Sequence, residues 1–234
     1  MRRIVYSILA VILLAAATLS ASAQSGETRE VSGFNSIGSG GPFDVHIRIN
    51  GTESLKISGK AEAISQIETK VEDGRLQIRW KDHWRNHNED QLGKIDIYVT
   101  AKSLSDVSNA GSGVMTIDGT VSGDHVNISL SGSGSISSAV RADKLHAAIS
   151  GSGSIHLEGN ADEAEVNISG SGSLNGKRLK TNTARVHIAG SGNAYLVADK
   201  SISGHIAGSG DVVYSGNATE DDVKTVGSGR VRKE

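Results

Sequence analysis

Cysteine is absent from this chain, proline occurs once, and aromatic residues make up only 3% of its 234 positions. The lack of cysteine excludes a disulfide scaffold, so stability has to come from packing and backbone pairing. A single proline excludes a collagen-like chain. With so few aromatics, the core has to be built from Val, Ile, Leu and Ala. Neither charge is in excess: 24 basic and 26 acidic side chains leave a net charge of −2, without the basic surplus that a nucleic-acid partner requires. Glycine is what the chain has in abundance, with 29 residues. Each costs roughly 1 kcal/mol in a helix interior, so long helices are disfavoured and a turn-rich β fold is expected.

The one long apolar run lies at the start. Met1-Arg2-Arg3 supplies a positive end, Ile4 to Leu19 is almost unbroken apolar sequence, and Ala21-Ser22-Ala23 is a small-x-small cleavage pattern. Residues 1–23 therefore read as a secretory signal peptide. The run is short for a membrane span, no charged stop-transfer flank follows it, and no cysteine follows that would take a lipid anchor. The expectation is a periplasmic or extracellular chain, residues 24–234, forming one domain with no membrane span after cleavage.

From residue 105 onward the sequence is periodic. Gly-Ser-Gly begins at Gly111, Gly132, Gly151, Gly170, Gly190, Gly208 and Gly227, at intervals of 21, 19, 19, 20, 18 and 19 residues. Such a fixed period marks stacked supersecondary units. Four residues after each first Gly stand Met115, Ile136, Ile155, Leu174, Ala194, Val212 and Val231. Two, four and six residues before the next triplet run three more apolar columns, headed by Leu130, Ile128 and Val126. Polar columns alternate with them: Ser129, Asn167, His187 and His205 in one, Asn127, His146, Glu165 and Arg185 in another. Spacing of two means strand, with one buried and one wet face.

Identical columns favour a solenoid over an antiparallel meander, because only stacked coils set like on like. The expected fold is all-β: a right-handed parallel β-helix-like solenoid with rungs of about 19 residues. Each rung should hold two short strands split by a second turn such as Gly159-Asn160-Ala161. The candidate structural corners are the pairs Gly111 and Gly113, Gly132 and Gly134, Gly151 and Gly153, Gly170 and Gly172, Gly190 and Gly192, and Gly208 and Gly210, where glycine permits positive φ or close backbone approach. Residues 24–104 are irregular β sequence. Phe43, Val45, Ile47 and Ile49 alternate with polar residues, Asn50-Gly51 marks a turn, and Asp73-Gly74 between Val71 and Leu76 is a hairpin signature. This half is placed to cover one end of the solenoid, while Arg230, Arg232 and Lys233 would discourage edge pairing at the other.

The ordered succession Val31-Ser32-Gly33-Phe34-Asn35-Ser36-Ile37, Phe43-Asp44-Val45-His46-Ile47, Val71-Glu72-Asp73-Gly74-Arg75-Leu76-Gln77-Ile78 and Ile95-Asp96-Ile97-Tyr98-Val99, leading into the Gly-Ser-Gly repeats, resembles the head GIN domain family. That family is catalogued both as auto-transporter adhesins and as a domain of unknown function. The resemblance covers about residues 30–215 and implies a bacterial, exported protein with a β-helix of the pectin-lyase type. The family has no established catalytic residues, so none is carried over.

The chemistry-bearing residues each have a structural alternative. The serines of the triplets would form a polar ladder able to meet glycan hydroxyls, or else satisfy corner backbone groups. His187 and His205 share a column on adjacent rungs, but two imidazoles without a third ligand do not make a metal site. The stretch His83-Trp84-Arg85-Asn86-His87 lies in a charged loop. Its His83, Trp84, Arg85 and His87 are the candidate binding residues, with Trp84 able to stack on a sugar or a protein partner, or to pack over the solenoid end. Asp143 with Asp162, and the cluster Glu220-Asp221-Asp222, would have to converge to act on a glycosidic bond, and their positions read as solvated turns.

No catalytic constellation, metal site or cofactor is expected. The chain reads as a non-catalytic adhesion or binding module of the bacterial envelope, with a surface glycan or an envelope protein as partner and no sequence feature fixing an oligomeric state. The alternatives are a polysaccharide-active β-helix enzyme and a periplasmic structural or signalling partner.

Overall fold

Stacking of the corners sets the architecture. The computed structural model describes residues 25–82 and 93–234. From Gly132 onward, the Ser and second Gly of each triplet up to Gly229 both donate their N–H groups to the carbonyl of the first Gly one rung below, as in Ser152 and Gly153 to Gly132 (both 3.0 Å) and Ser171 and Gly172 to Gly151 (both 2.9 Å). The backbone polar groups of the turn are thus satisfied by the turn beneath. The two glycines of a triplet serve different needs. Gly151 has φ +116°, a region that side chains avoid. Gly153 has no such φ, but a Cβ there would lie 2.5 Å from the Gly134 carbonyl oxygen and 2.7 Å from Leu130 Cδ2.

Between corners the chain runs as β9 (Val114–Gly132), β10 (Ser135–Gly151), β11 (Ser154–Gly170), β12 (Ser173–Gly190) and β13 (Asn193–Gly208), each one coil of the solenoid, then β14 (Asp211–Ser215), β15 (Thr219–Gly227) and β16 (Arg230–Lys233). All are parallel to their neighbours. The solenoid has about seven turns at roughly 19-residue spacing. The expected apolar columns are buried and in register: Met115, Ile136, Ile155, Leu174, Ala194 and Val212 are all 0% exposed, and each pairs with the next. One expectation is corrected. The rung is not two strands split at Gly159; Val140↔Gly159, Arg141↔Asn160 and Ala142↔Ala161 remain paired through the bend. Between β10 and β11 the pairing passes around the bend, whereas β12 and β13 lose register there and the last rung is divided into β14 and β15.

The first half contributes true rungs as well as a cap. β2 (Ser36–Gly40) and β3 (Asp44–Ile49) form a coil beneath β8 (Asp106–Gly111) and the start of β9. On their other side lie β6 (Arg75–Trp80) and β7 (Asp96–Ala101), again parallel. The spatial order of rungs therefore departs from the chain order, with residues 36–49 inserted between 75–101 and 106–118. Beyond this rung the pairing turns antiparallel. β4 (Ser54–Gly59) adds to β7, β1 (Ser25–Arg29) to β4, and β5 (Ile67–Glu72) to β6. Asp73 (φ 49°) and Gly74 (φ 73°) form the expected tight hairpin, whereas the turn at Asn50-Gly51 does not close one, since β7 lies between β3 and β4.

The short helix α1 (Ala61–Gln66) buries Ala63 and Ile64 under the cap. Arg29 reaches across it to donate to the carbonyls of Ile64 (3.0 Å) and Ile67 (2.7 Å), the former shared with the Ile67 N–H, and so ties β1 to the end of the helix. Phe43 and Trp80 meet edge to face at 4.9 Å near this end of the core. At the opposite end β15 is exposed throughout and β16 carries Arg230, Arg232 and Lys233.

The corner geometry generates a sharp contrast. Gly153→Ala, which forces the Cβ against a carbonyl of the rung below, should destabilise by about 1–3 kcal/mol. Ser152→Ala at the exposed middle of the same corner should stay within about 0.5 kcal/mol of wild type. Chemical denaturation of both variants checks this, and equal losses would contradict the close-approach account.

Candidate functional site

Outward side chains on a stacked solenoid form straight columns, and one such column runs the length of the face that carries β3 and β7. In spatial order it reads Tyr98, His46, Thr116, Ser137, His156 and Asn175. With rungs ~4.8 Å apart these six positions span about 24 Å. Tyr98 is 48% exposed, and its ring stacks on that of His46 at 5.0 Å and 19°. His46 Nε2 lies 3.1 Å from Asp96 Oδ1, so the imidazole is held from two sides. Lys94 bridges Asp96 at 2.8 Å and Asp44 at 3.3 Å.

The column lies in a trough. A cavity of 590 Å³ around His46, Lys56 and Tyr98 adjoins one of 530 Å³ around Ser137, His156 and Arg178, and the two share Thr116 and Asp118. The walls arise from irregularities of register. Between Thr116 and Thr120 strand β9 carries two more residues than β10 does between Ser137 and Ala139, and β12 carries one more than β11 beside Glu158. Beside the bulges stand two ion pairs, Asp118 with Arg48 at 3.0 Å and Arg178 with Glu158, its neighbour in register, at 2.8 Å. At the far end Lys177 lies 5.2 Å from the Tyr195 ring centroid and pairs with Glu234 at 3.1 Å, closing the trough.

Burial opposes ionisation of Asp96, whose side chain is only 10% exposed. Hydrogen bonds from Lys94 and His46, together with their charge, outweigh burial and hold its carboxyl below the usual range. Lys94 is pushed up by the same hydrogen bonds to Asp96 and Asp44.

The residues singled out from sequence are distributed differently. His83, Trp84, Arg85 and His87, and the expected signal segment 1–23, lie outside the described residues. The corner serines project to solvent, and the corner backbone is satisfied by backbone rather than by their hydroxyls. On the opposite face His187 and His205 stand on adjacent rungs with ring centroids 5.0 Å apart. His205 Nε2 meets Asp222 Oδ2 at 2.9 Å, and Lys224 meets Asp222 Oδ1 at 3.1 Å. Hydrogen bonds from His205 and Lys224 hold the Asp222 carboxyl low. Among the described residues no group of three or more His, Cys, Asp or Glu is arranged to hold a metal ion. Asp143 and Asp162 lie side by side on adjacent rungs, with Asp162 accepting a hydrogen bond from Asn182 (3.2 Å), and Glu220 accepts one from Tyr214 (2.9 Å).

The sequence profile of the family described as "Putative auto-transporter adhesin, head GIN domain" matches residues 33–218. The chain belongs to this family. Among solved structures, a "putative adhesin" from Bacteroides fragilis is similar, at 24% identity and a TM-score of 0.81, over 90% of this chain and 96% of that one. A "putative adhesin" from Parabacteroides merdae gives 21% and 0.71, over 90% and 95%. A "Putative lipid binding protein" from Parabacteroides distasonis gives 22% and 0.70, over 90% and 96%. At these identities the likeness is one of fold. No curated protein sequence matches the chain. Among the described residues no helix is long and apolar enough to cross a membrane.

Sequence reasoning missed the Tyr98–His46–Asp96 group of this head GIN domain because His46 lies 50 residues from Asp96 in the chain and meets it only through the parallel pairing of β3 with β7. The outward placing of Tyr98 among Ile95, Ile97 and Val99 was the one signal available.

Asp96 makes the group sensitive to acid. Its folded pKa is lowered, so its contribution to stability is present above the ordinary value of ~3.9 and is lost as pH falls through the folded value. Asp96→Asn should therefore melt below wild type near neutral pH, with the two curves converging in strong acid. Thermal melts across pH check this, and a gap independent of pH would contradict it.

Proposed function

We propose that this head GIN domain is an exported, non-catalytic adhesion module of the bacterial cell envelope. The observation that carries the reading is the long outward trough on a frame whose backbone is paired from rung to rung. Such a frame offers a wide binding surface whose geometry is set before a ligand arrives, which lowers the ordering cost of binding. The family description and the adhesin names of the similar structures support the same reading. The apolar run at residues 4–19 with Ala21-Ser22-Ala23 supports export. The acidic residues on the solenoid bends are solvated, which supports binding over hydrolysis.

The full chain expressed in a bacterial host should be recovered outside the cytoplasm, shortened by about 23 residues. The purified protein should then sediment saturably with bacterial envelope preparations without releasing reducing sugars. Retention of the leader in the cytoplasm would contradict export. Absence of sedimentation would contradict adhesion, and liberation of reducing ends would favour the enzyme reading.

A further inference from the structure

The trough's chemistry narrows what it can hold. Its floor is lined by a hydroxyl from Thr116, a hydroxyl from Ser137 and the exposed imidazole of His156, none of which has a side-chain hydrogen bond among the described residues. Asn175 spends its Oδ1 on the Lys177 N–H (3.3 Å), which leaves its amide Nδ2 to donate outward. The wall charges Arg48, Asp118, Glu158 and Arg178 are paired with one another. Among the described residues, Tyr98 alone of the exposed large apolar side chains lies in the trough, at one end, its ring steadied by His46.

We propose that this trough binds a linear, uncharged glycan lying along the solenoid axis, with Tyr98 as the stacking platform and the Thr116–Asn175 column reading its hydroxyls. The assignment rests on the adhesion reading above and adds the class of ligand and its place. A sugar ring presents an apolar C–H face that suits an exposed aromatic and a rim of hydroxyls that both donate and accept, which matches free hydroxyl, imidazole and amide groups in line. An anionic polymer would instead call for several unpaired cations along the trough; here both arginines are neutralised, and Lys56, beside Tyr98 at one end, is the one unpaired cation among the described lining residues. A protein partner would call for several apolar anchors, and the trough supplies one. The repeat of the floor groups at ~4.8 Å follows from the rung spacing, so a chain molecule meets equivalent donors along its length. By contrast, the 750 Å³ groove on the opposite face is more apolar, lined by Ile149, Ile168, Ile188 and Ile206 with the exposed Val226 at one end, and has no tyrosine or tryptophan among its described lining residues to stack on a sugar.

Native affinity electrophoresis of the full mature chain through gels containing α-glucan, β-1,3-glucan, mannan or xylan tests this, with polygalacturonate as the acidic comparison. Retardation by at least one neutral polymer, insensitive to added salt, is expected. Tyr98→Ala should raise the dissociation constant about tenfold. Ser137→Arg, which fills the trough from an outward position, should abolish retardation, and His187→Ala on the opposite face should leave it unchanged. Thermal melts of each variant separate loss of site from loss of fold. The glycan assignment is overturned if no neutral polymer retards the protein, if polygalacturonate alone does, or if folded Tyr98→Ala and Ser137→Arg bind as wild type. Sedimentation with envelopes in the absence of neutral-glycan binding would sink this assignment and leave adhesion standing, whereas failure of both would sink the two together.

Discussion

Parallel stacking with zero offset at the corners is the constraint on which the remainder of the molecule depends. Each corner carbonyl accepts two N–H groups from the corner above, which requires consecutive backbones to approach so closely that no Cβ fits between them. Glycine at both ends of the triplet meets that requirement, and the intervening serine, pointing to solvent, has little to do with it. Once corners are fixed, every residue between them falls opposite its counterpart one rung away. The interior then becomes a set of columns in which side chains stack on their own kind, and branched aliphatic residues fill a narrow coil better than aromatic rings. The scarcity of aromatics is a consequence of that interior.

The same constraint decides where function can reside. Interior columns are committed to packing, and corners are committed to backbone contact. The outward columns alone are free to vary, and they arrive already aligned along the axis. A solenoid therefore builds an extended site by choosing one outward residue per rung, and the precision of the site comes from backbone pairing and not from side-chain networks. The Tyr98–His46–Asp96–Lys94 group is the exception, with a partly buried carboxylate that ties three rung positions together at the end where the site begins.

Much of the repeat region was legible because period, column and corner are all local or strictly periodic properties. The apolar columns, the outward histidine column and the hairpin at Asp73-Gly74 follow from spacing alone. The first half was not legible in the same way. Nothing in the sequence around Phe43 says that its rung sits between residues 75–101 and 106–118, because that placement depends on contacts across 30 to 70 residues with no repeating motif to mark them. Asn109 shows a second limit. It stands in the buried column that runs from Ile78 and Ser39 to Leu130, Ile149 and Ile168, yet it is polar, and its amide donates to the Gly113 carbonyl at 2.8 Å at the first corner of the repeat. Spacing from the triplets therefore reads that column correctly from Leu130 onward and not at Ser39 and Asn109, where it turns polar.

The trough lies where the regularity fails. From β9 to β13 the face carrying Leu130, Ile149 and Ile168 keeps strict register, whereas the extra residues of β9 and β12 fall on the other face, beside Thr116 and Asn175. Extra residues in a stacked coil cannot enter the core without breaking its columns, so they bulge outward, and here the bulges raise charged walls beside a polar floor. The interval of 21 residues between Gly111 and Gly132, against 19 in the next repeat, is the trace of this in the sequence. Bulges re-aim side chains and are found beside binding sites for that reason. In a fold whose stability rests on repetition, a departure from the repeat is tolerated only on the surface, and here the departures gather on the face that carries the trough.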